Sequence, residues 1–112
     1  VADPRKTRKW HEVVRPAAYR RDSQAIITLP DGRTEVGARC WICGERIDYS
    51  APSGSAWAWE PDHYVSVNER PELAFDLANL RPSHSRCNRQ RHDGKSAKRP
   101  RADDLGSPSR AW

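Results

Sequence analysis

Two short segments, Cys40-Trp41-Ile42-Cys43 and His84-Ser85-Arg86-Cys87, each place two ligand-type side chains three positions apart, with 40 residues between the segments. Three cysteines cannot all pair within one chain, and Cys40 and Cys43 are too close for an ordinary structural disulfide. A metal accounts for all four groups. Zinc takes four N or S ligands at tetrahedral corners, and two such pairs brought together by folding supply them with none left over. A redox Cys-x-x-Cys expects a βαβ setting, whereas here Gly44 follows at once, as in a knuckle turn. Free thiols beside a surface His84 are the remaining alternative. A second group of polar residues lies between and just after the two pairs: Asp62-His63, Asn79 and Asn88, the last directly after Cys87.

Several elements must position these groups. Ala25–Leu29 is a short β-prone run, followed by the turn signal Pro30-Asp31-Gly32-Arg33 and then Thr34-Glu35-Val36, so a hairpin is expected just ahead of the first cysteine pair. Ala56–Glu60 alternates small and aromatic residues like a half-buried strand, with Trp57 and Trp59 expected in the core, and Asp62–Val67 extends that segment. Leu73, Leu77 and Leu80 at i, i+4, i+7 predict a helix over 72–80, and a last helix is expected from Ser85 to Gly94, carrying Cys87, Asn88 and Arg91. The first 22 residues, with seven Lys or Arg, read as a mobile or partly helical basic arm, and 95–112 as a basic tail containing Pro and Ser. The expected organisation is therefore an arm over 1–22, a domain over 23–94 and a tail over 95–112. Trp10 or Trp112 could stack on bases only if the arms become ordered.

The chain has 112 residues, enough for one domain. Apolar residues make up 36% against 31% charged, a composition in which burial barely offsets chain entropy, so a metal staple is expected on energetic grounds too. Lys and Arg number 20 against 15 Asp and Glu, a formal charge of +5, which favours a polyanion, above all nucleic acid, as partner. No apolar run approaches the roughly 20 residues of a membrane-spanning helix. Val1–Lys9 has charge without an apolar stretch behind it, so it does not read as a secretory signal, and a cytoplasmic location is expected.

Taken together, Asp62-His63, the segment from Asn79-Leu80 to Cys87-Asn88-Arg89-Gln90-Arg91, and the framing cysteine pairs resemble the HNH endonuclease family, in an HNN variant, over residues 40–94. The resemblance implies a small α+β fold: a ββα-metal motif, two antiparallel strands followed by a helix, stapled by a structural Cys3His zinc site. It implies a metal-dependent DNA endonuclease that leaves a 5′ phosphate and a 3′ hydroxyl. Small free-standing members resemble bacteriophage nucleases, some tied to a packaging assembly, which implies a bacterial host cell. Two departures stand out. Tyr64-Val65-Ser66 follows the histidine where many members have a hydrophobic residue, a variable one and Pro, and residues 68–78 contain no glycine.

Phosphodiester hydrolysis gives these residues roles. His63, with an ordinary pKa of about 6.5, suits the general base that takes a proton from water. Developing charge on the phosphate calls for a hard cation, Mg2+ or Mn2+, and hard cations take oxygen ligands; Asp62 and Asn88 are the expected pair. Asn79 is expected to orient His63 or to fix the loop between the strands. Arg86, Arg89 and Arg91 are expected to hold DNA phosphates. The competing expectation is a catalytically inactive zinc module that binds nucleic acid or docks on a packaging machine. One conflict is visible in advance: adjacent strand residues point to opposite faces, so Asp62 and His63 can serve one phosphate only if the backbone bends, and Pro61 is the expected place for a strand end.

Overall fold

The computed structural model describes residues 3–92; the expected tail over 95–112, the helix stop at Gly94 and Trp112 lie outside the described residues. The architecture is α+β, with two antiparallel two-stranded sheets. Along the chain come helix α1 (Arg15–Ser23), strands β1 (Ile26–Thr28) and β2 (Thr34–Val36), strands β3 (Trp59–His63) and β4 (Leu80–His84), and helix α2 (Ser85–His92). β1 and β2 form the expected hairpin, in the register Ile26 to Val36. Its turn closes where Gly32 takes φ +89, a left-handed conformation that glycine adopts without strain.

β3 and β4 pair from Trp59 opposite His84 to His63 opposite Leu80, and α2 follows without a break. This is the ββα arrangement. Pro61 does not end the strand as expected: it sits in the middle of β3 directly opposite Pro82. The Pro82 carbonyl accepts from the Trp41 N–H at 2.9 Å and so points away from β3, which marks a pair that exchanges no ladder bonds and can hold two prolines. The first N–H groups of α2 are satisfied by the preceding chain, Ser85 to the Ala58 carbonyl (2.8 Å) and Arg86 to that of Ala56 (3.0 Å).

The helix expected over 72–80 does not form. Two short 3-10 turns, Pro71–Leu73 and Leu77–Asn79, occupy that stretch, and Leu80 begins β4. The Asp76 carboxylate caps the second turn at the Ala78 N–H, and the Tyr64 N–H bonds the Asn79 carbonyl, so strand pairing takes over from the leucine periodicity.

Of the two alternatives for the first segment, mobile or partly helical, residues 10–23 take the helical one and pack into the core. A π-helical turn over Trp10–Val14 runs straight into α1, and Trp10, Val14 and Ala18 enter the core with Cys40, Ile47, Trp59, Leu80 and Cys87. Trp10, Val14, Ala18 and Asp22 recur every fourth position and form one helical stripe. Asp22 fastens the far end: its buried carboxylate accepts from Trp59 Nε1 at 3.0 Å, and its carbonyl accepts from the Ala38 N–H at 2.8 Å. Trp59 is a core residue as expected, but Trp57 is 51% exposed. Among the described residues no helix is long and apolar enough to cross a membrane.

Trp10 is only 5% exposed, so Trp10→Ala is expected to lower stability by about 3–5 kcal/mol in urea unfolding of the zinc-loaded protein. An unpacked arm would leave the midpoint unchanged.

Candidate active site and metal centre

The two cysteine-bearing segments converge. Cys40, Cys43, His84 and Cys87 each offer one ligand atom, and the four atoms lie within 4.8 Å of one another. Gly44, at φ +81, closes the knuckle, in which the Cys40 N–H donates to the Glu45 carbonyl and the Gly44 N–H to that of Cys40. His84 Nδ1 lies 3.3 Å from Cys43 Sγ and 3.7 Å from Cys87 Sγ, while Nε2 meets the Arg46 carbonyl at 2.7 Å. A carbonyl can only accept, so Nε2 carries the proton and Nδ1 turns its lone pair to the sulfurs, the orientation of a zinc-ligating histidine. Burial pushes the Cys40 thiol up, and burial followed by the neighbouring cysteines pushes Cys87 up to about 12. A cation is what draws thiolates from such a cluster, and the Cys3His group fits structural zinc. Trp57, though exposed, stands edge-on to the His84 ring at 5.1 Å and screens one side of it.

The conflict between Asp62 and His63 is settled by strand alternation. β3 stays regular through His63, and the two side chains part. Asp62, 1% exposed, accepts from Arg91 Nη1 at 2.8 and 2.9 Å and from Trp41 Nε1 at 2.9 Å. Arg91, expected on a phosphate, is instead wholly buried: Nη2 donates to the Tyr64 carbonyl at 3.1 Å, and the guanidinium lies over the Trp41 ring at 4.8 Å. This pair joins α2 to β3 and to the zinc knuckle.

His63 lies on the opposite face. Trp10 stacks on it with ring centroids 5.2 Å apart at 26°, and Nε2 meets the Ala74 carbonyl at 2.9 Å. The same reasoning as for His84 places the proton on Nε2 and the basic lone pair on Nδ1. Asn79 ties the loop to the end of β3: Oδ1 accepts from the Val65 N–H at 2.9 Å, and Nδ2 donates to the Val65 carbonyl at 3.0 Å.

A pocket of about 180 Å³ is lined by Arg5, Trp10, Arg15, Glu60, Pro61, His63 and Asn88. It gathers His63 and Asn88 but not Asp62. By alternation Glu60 belongs to the α2-facing side of β3 and His63 to the other, so the pocket lies across the edge of β3 that β4 leaves open. Asn88 is 8% exposed, and its Oδ1 has no hydrogen-bond partner among the described residues, which suits an oxygen ligand for a hard cation. Arg86 and Arg89 are exposed on α2 outside the pocket, Arg86 over the Trp57 ring and Arg89 on the Gly54 carbonyl at 3.3 Å. Arg5, Arg15 and Glu60 were not among the expected site residues, and Trp10 was expected only as a residue that could stack on bases. The four-residue stripe from Trp10 was the signal of the helical wall, masked by the arginines set among it, and Glu60, three positions before His63, carried no comparable signal.

Residues 40–94 match the family model described as HNH endonuclease. The match begins at Cys40, so the segment bearing Arg5, Trp10 and Arg15 lies outside it. No curated protein and no solved structure matches the chain.

Truncating one member of the buried pair strands the other charge. Arg91→Ala is expected to cost about 3–5 kcal/mol in denaturant unfolding, and the double variant Arg91→Met/Asp62→Leu distinctly less, a coupling that a double-mutant cycle reads directly.

Proposed function

Since residues 40–94 form a domain of the HNH endonuclease family, whose members act on nucleic acids, we propose that this chain is a metal-dependent DNA endonuclease with His63 as its general base. The observation that carries this reading is the meeting of His63 and Asn88 in one pocket beside two arginines. A module that only binds nucleic acid has no need of that combination.

The Ala74 carbonyl holds the His63 proton on Nε2, so Nδ1 is the atom that takes a proton from the attacking water. Trp10 limits the tilt of the ring, so the base keeps one orientation as it gains charge. Asn79 holds the backbone at Val65, two residues beyond the base, and so acts as a positioning residue. Arg15 supplies positive charge at the pocket wall for the phosphodiester, taking the part first expected of Arg91, while Arg5 beside it is shared with Asp3. Arg86 and Arg89, exposed on α2, suit flanking phosphates, where they add affinity without reading sequence. Asn88 would hold a divalent cation; of the two expected protein ligands it alone lines the pocket, since Asp62 would have to release Arg91 and Trp41 to reach one. When bound, Mg2+ or Mn2+ would offset charge developing on the phosphate and the leaving oxygen.

Supercoiled plasmid incubated with the zinc-loaded protein and Mg2+ or Mn2+ is expected to relax or linearise. EDTA should stop the reaction, and folded His63→Ala protein should be slower by about 10²–10⁴-fold. Salt-sensitive DNA binding by folded wild type without cutting in either ion would contradict the proposal and favour the binding module.

A further inference from the structure

Trp57 stands 51% exposed at the end of the loop that leads into β3, although Trp10 and Trp59 are both buried. One exposed apolar side chain is ordinary on a protein surface. This one is set apart by how it is held and by what surrounds it. Its carbonyl accepts from the Asp48 N–H at 3.2 Å, the Ala58 N–H donates to the Ser55 carbonyl at 3.1 Å, and the Arg86 N–H donates to the Ala56 carbonyl at 3.0 Å. The ring itself rests at 5.1 Å from that of His84, in the Cys3His group. The indole is therefore presented to solvent in a fixed place.

Three arginines converge on the same loop. Arg15, from α1, reaches Ser53 Oγ at 3.4 Å; Arg89, from α2, donates to the Gly54 carbonyl at 3.3 Å; and the Arg86 guanidinium lies over the Trp57 ring at 5.2 Å. Elsewhere among the described residues arginines are mostly held by carboxylates, as in Arg21–Asp22, Arg39–Glu35 and Arg91–Asp62, but none of these three is in an ion pair. Cations gathered on one surface without counter-charges attract a polyanion. Gly54, at φ +90, has nothing within 4 Å of where a Cβ would stand, so the loop is open to an approaching strand. Arg15 also lines the pocket of His63 and Asn88, which makes the loop a continuation of the pocket wall.

We propose that Trp57 is a stacking site for an unpaired DNA base, with Arg86 and Arg89 on phosphates of the same strand and Arg15 leading that strand to the pocket. This rests on the nuclease reading of the pocket and deepens it, because it names a strand with unpaired bases as the favoured substrate. An indole accepts any base, since every base has a π-face, and a guanidinium beside it stacks on the base or meets its phosphate. Bases within a duplex are already stacked on one another, so the site tells strand forms apart without reading sequence.

Fluorescence anisotropy in buffer without Mg2+ or Mn2+ tests the assignment apart from turnover. The probes are a short labelled single strand of mixed bases, a strand of equal length built wholly of abasic sites, which keeps the phosphates, and a duplex. Full-length, zinc-loaded wild type is expected to bind the base-bearing strand about 5–100-fold more tightly than the abasic one. Trp57→Ala should lose most of that difference and change duplex affinity by less than about threefold, whereas Trp57→Phe should keep most of it. If Trp57→Ala fails to retain zinc, Trp57→Leu, which keeps apolar bulk without a π-face, takes its place. Arg86→Gln/Arg89→Gln should lower the salt dependence of log affinity by about two, and the Trp57 variants should leave it unchanged. Equal affinity of wild type for the base-bearing and abasic strands, or a Trp57 loss of the same size on all three probes, would overturn the proposal. Plasmid cleavage on the same samples separates the two readings. Cutting that depends on His63 without any preference for bases sinks the stacking site alone. Trp57-dependent preference for bases in a folded protein that never cuts sinks the nuclease reading alone.

Discussion

Three sulfurs and one imidazole nitrogen within 4.8 Å of one another form the junction on which the rest of the structure depends. Cys40 and Cys43 belong to a knuckle whose Trp41 N–H bonds β4, while His84 ends β4 and Cys87 lies in the first turn of α2. A zinc ion bound there would tie the knuckle, a strand end and a helix start into one body. Cys40 and Cys87 are also members of the hydrophobic core, so metal binding and core formation are one event for a chain so rich in charge. Asn88 follows Cys87 by one residue, and its place in the pocket is inherited from the metal cluster.

A second constraint is the period of two along β3. It sends Asp62 toward Arg91 and Trp41, where it braces α2 against the knuckle, and His63 toward Trp10. Buried ion pairs of this kind add little net stability over an apolar pair, but breaking one is costly, so the Arg91–Asp62 contact fixes the angle of α2. The pocket opens at the unpaired edge of the strand, and its far wall comes from the helical segment that precedes the family domain. That segment brings a stacked indole and two arginines to a histidine about fifty residues away in sequence. The proposed nuclease reading rests on this pocket.

Much of this was legible in the residues. The zinc ligands, the hairpin, the helix from Ser85 and the core place of Trp59 follow from spacing, turn chemistry and periodicity, because each is decided by near neighbours. The features that depend on distant partners were not legible. The arginines of the first segment masked a stripe of Trp10, Val14, Ala18 and Asp22, whose meaning depends on Trp59 and His63. Leu73, Leu77 and Leu80 have helical spacing, yet Asn79 stitched to Val65 and the pairing of Leu80 with His63 give that stretch to turns and a strand. Arg91 has the type and position of a phosphate ligand, and only the fold reveals that Asp62 takes it first.

The proposed function divides labour between two metal positions, a structural one at the Cys3His cluster and a catalytic one in the pocket walled by Trp10 and His63. Anomalous difference maps from crystals grown with zinc and soaked in Mn2+, recorded at the two absorption edges, test it most directly. A zinc peak is expected among Cys40, Cys43, His84 and Cys87, and a separate manganese peak against Asn88 in the pocket. Manganese found only at the cysteine cluster, or nowhere in the pocket, would contradict it.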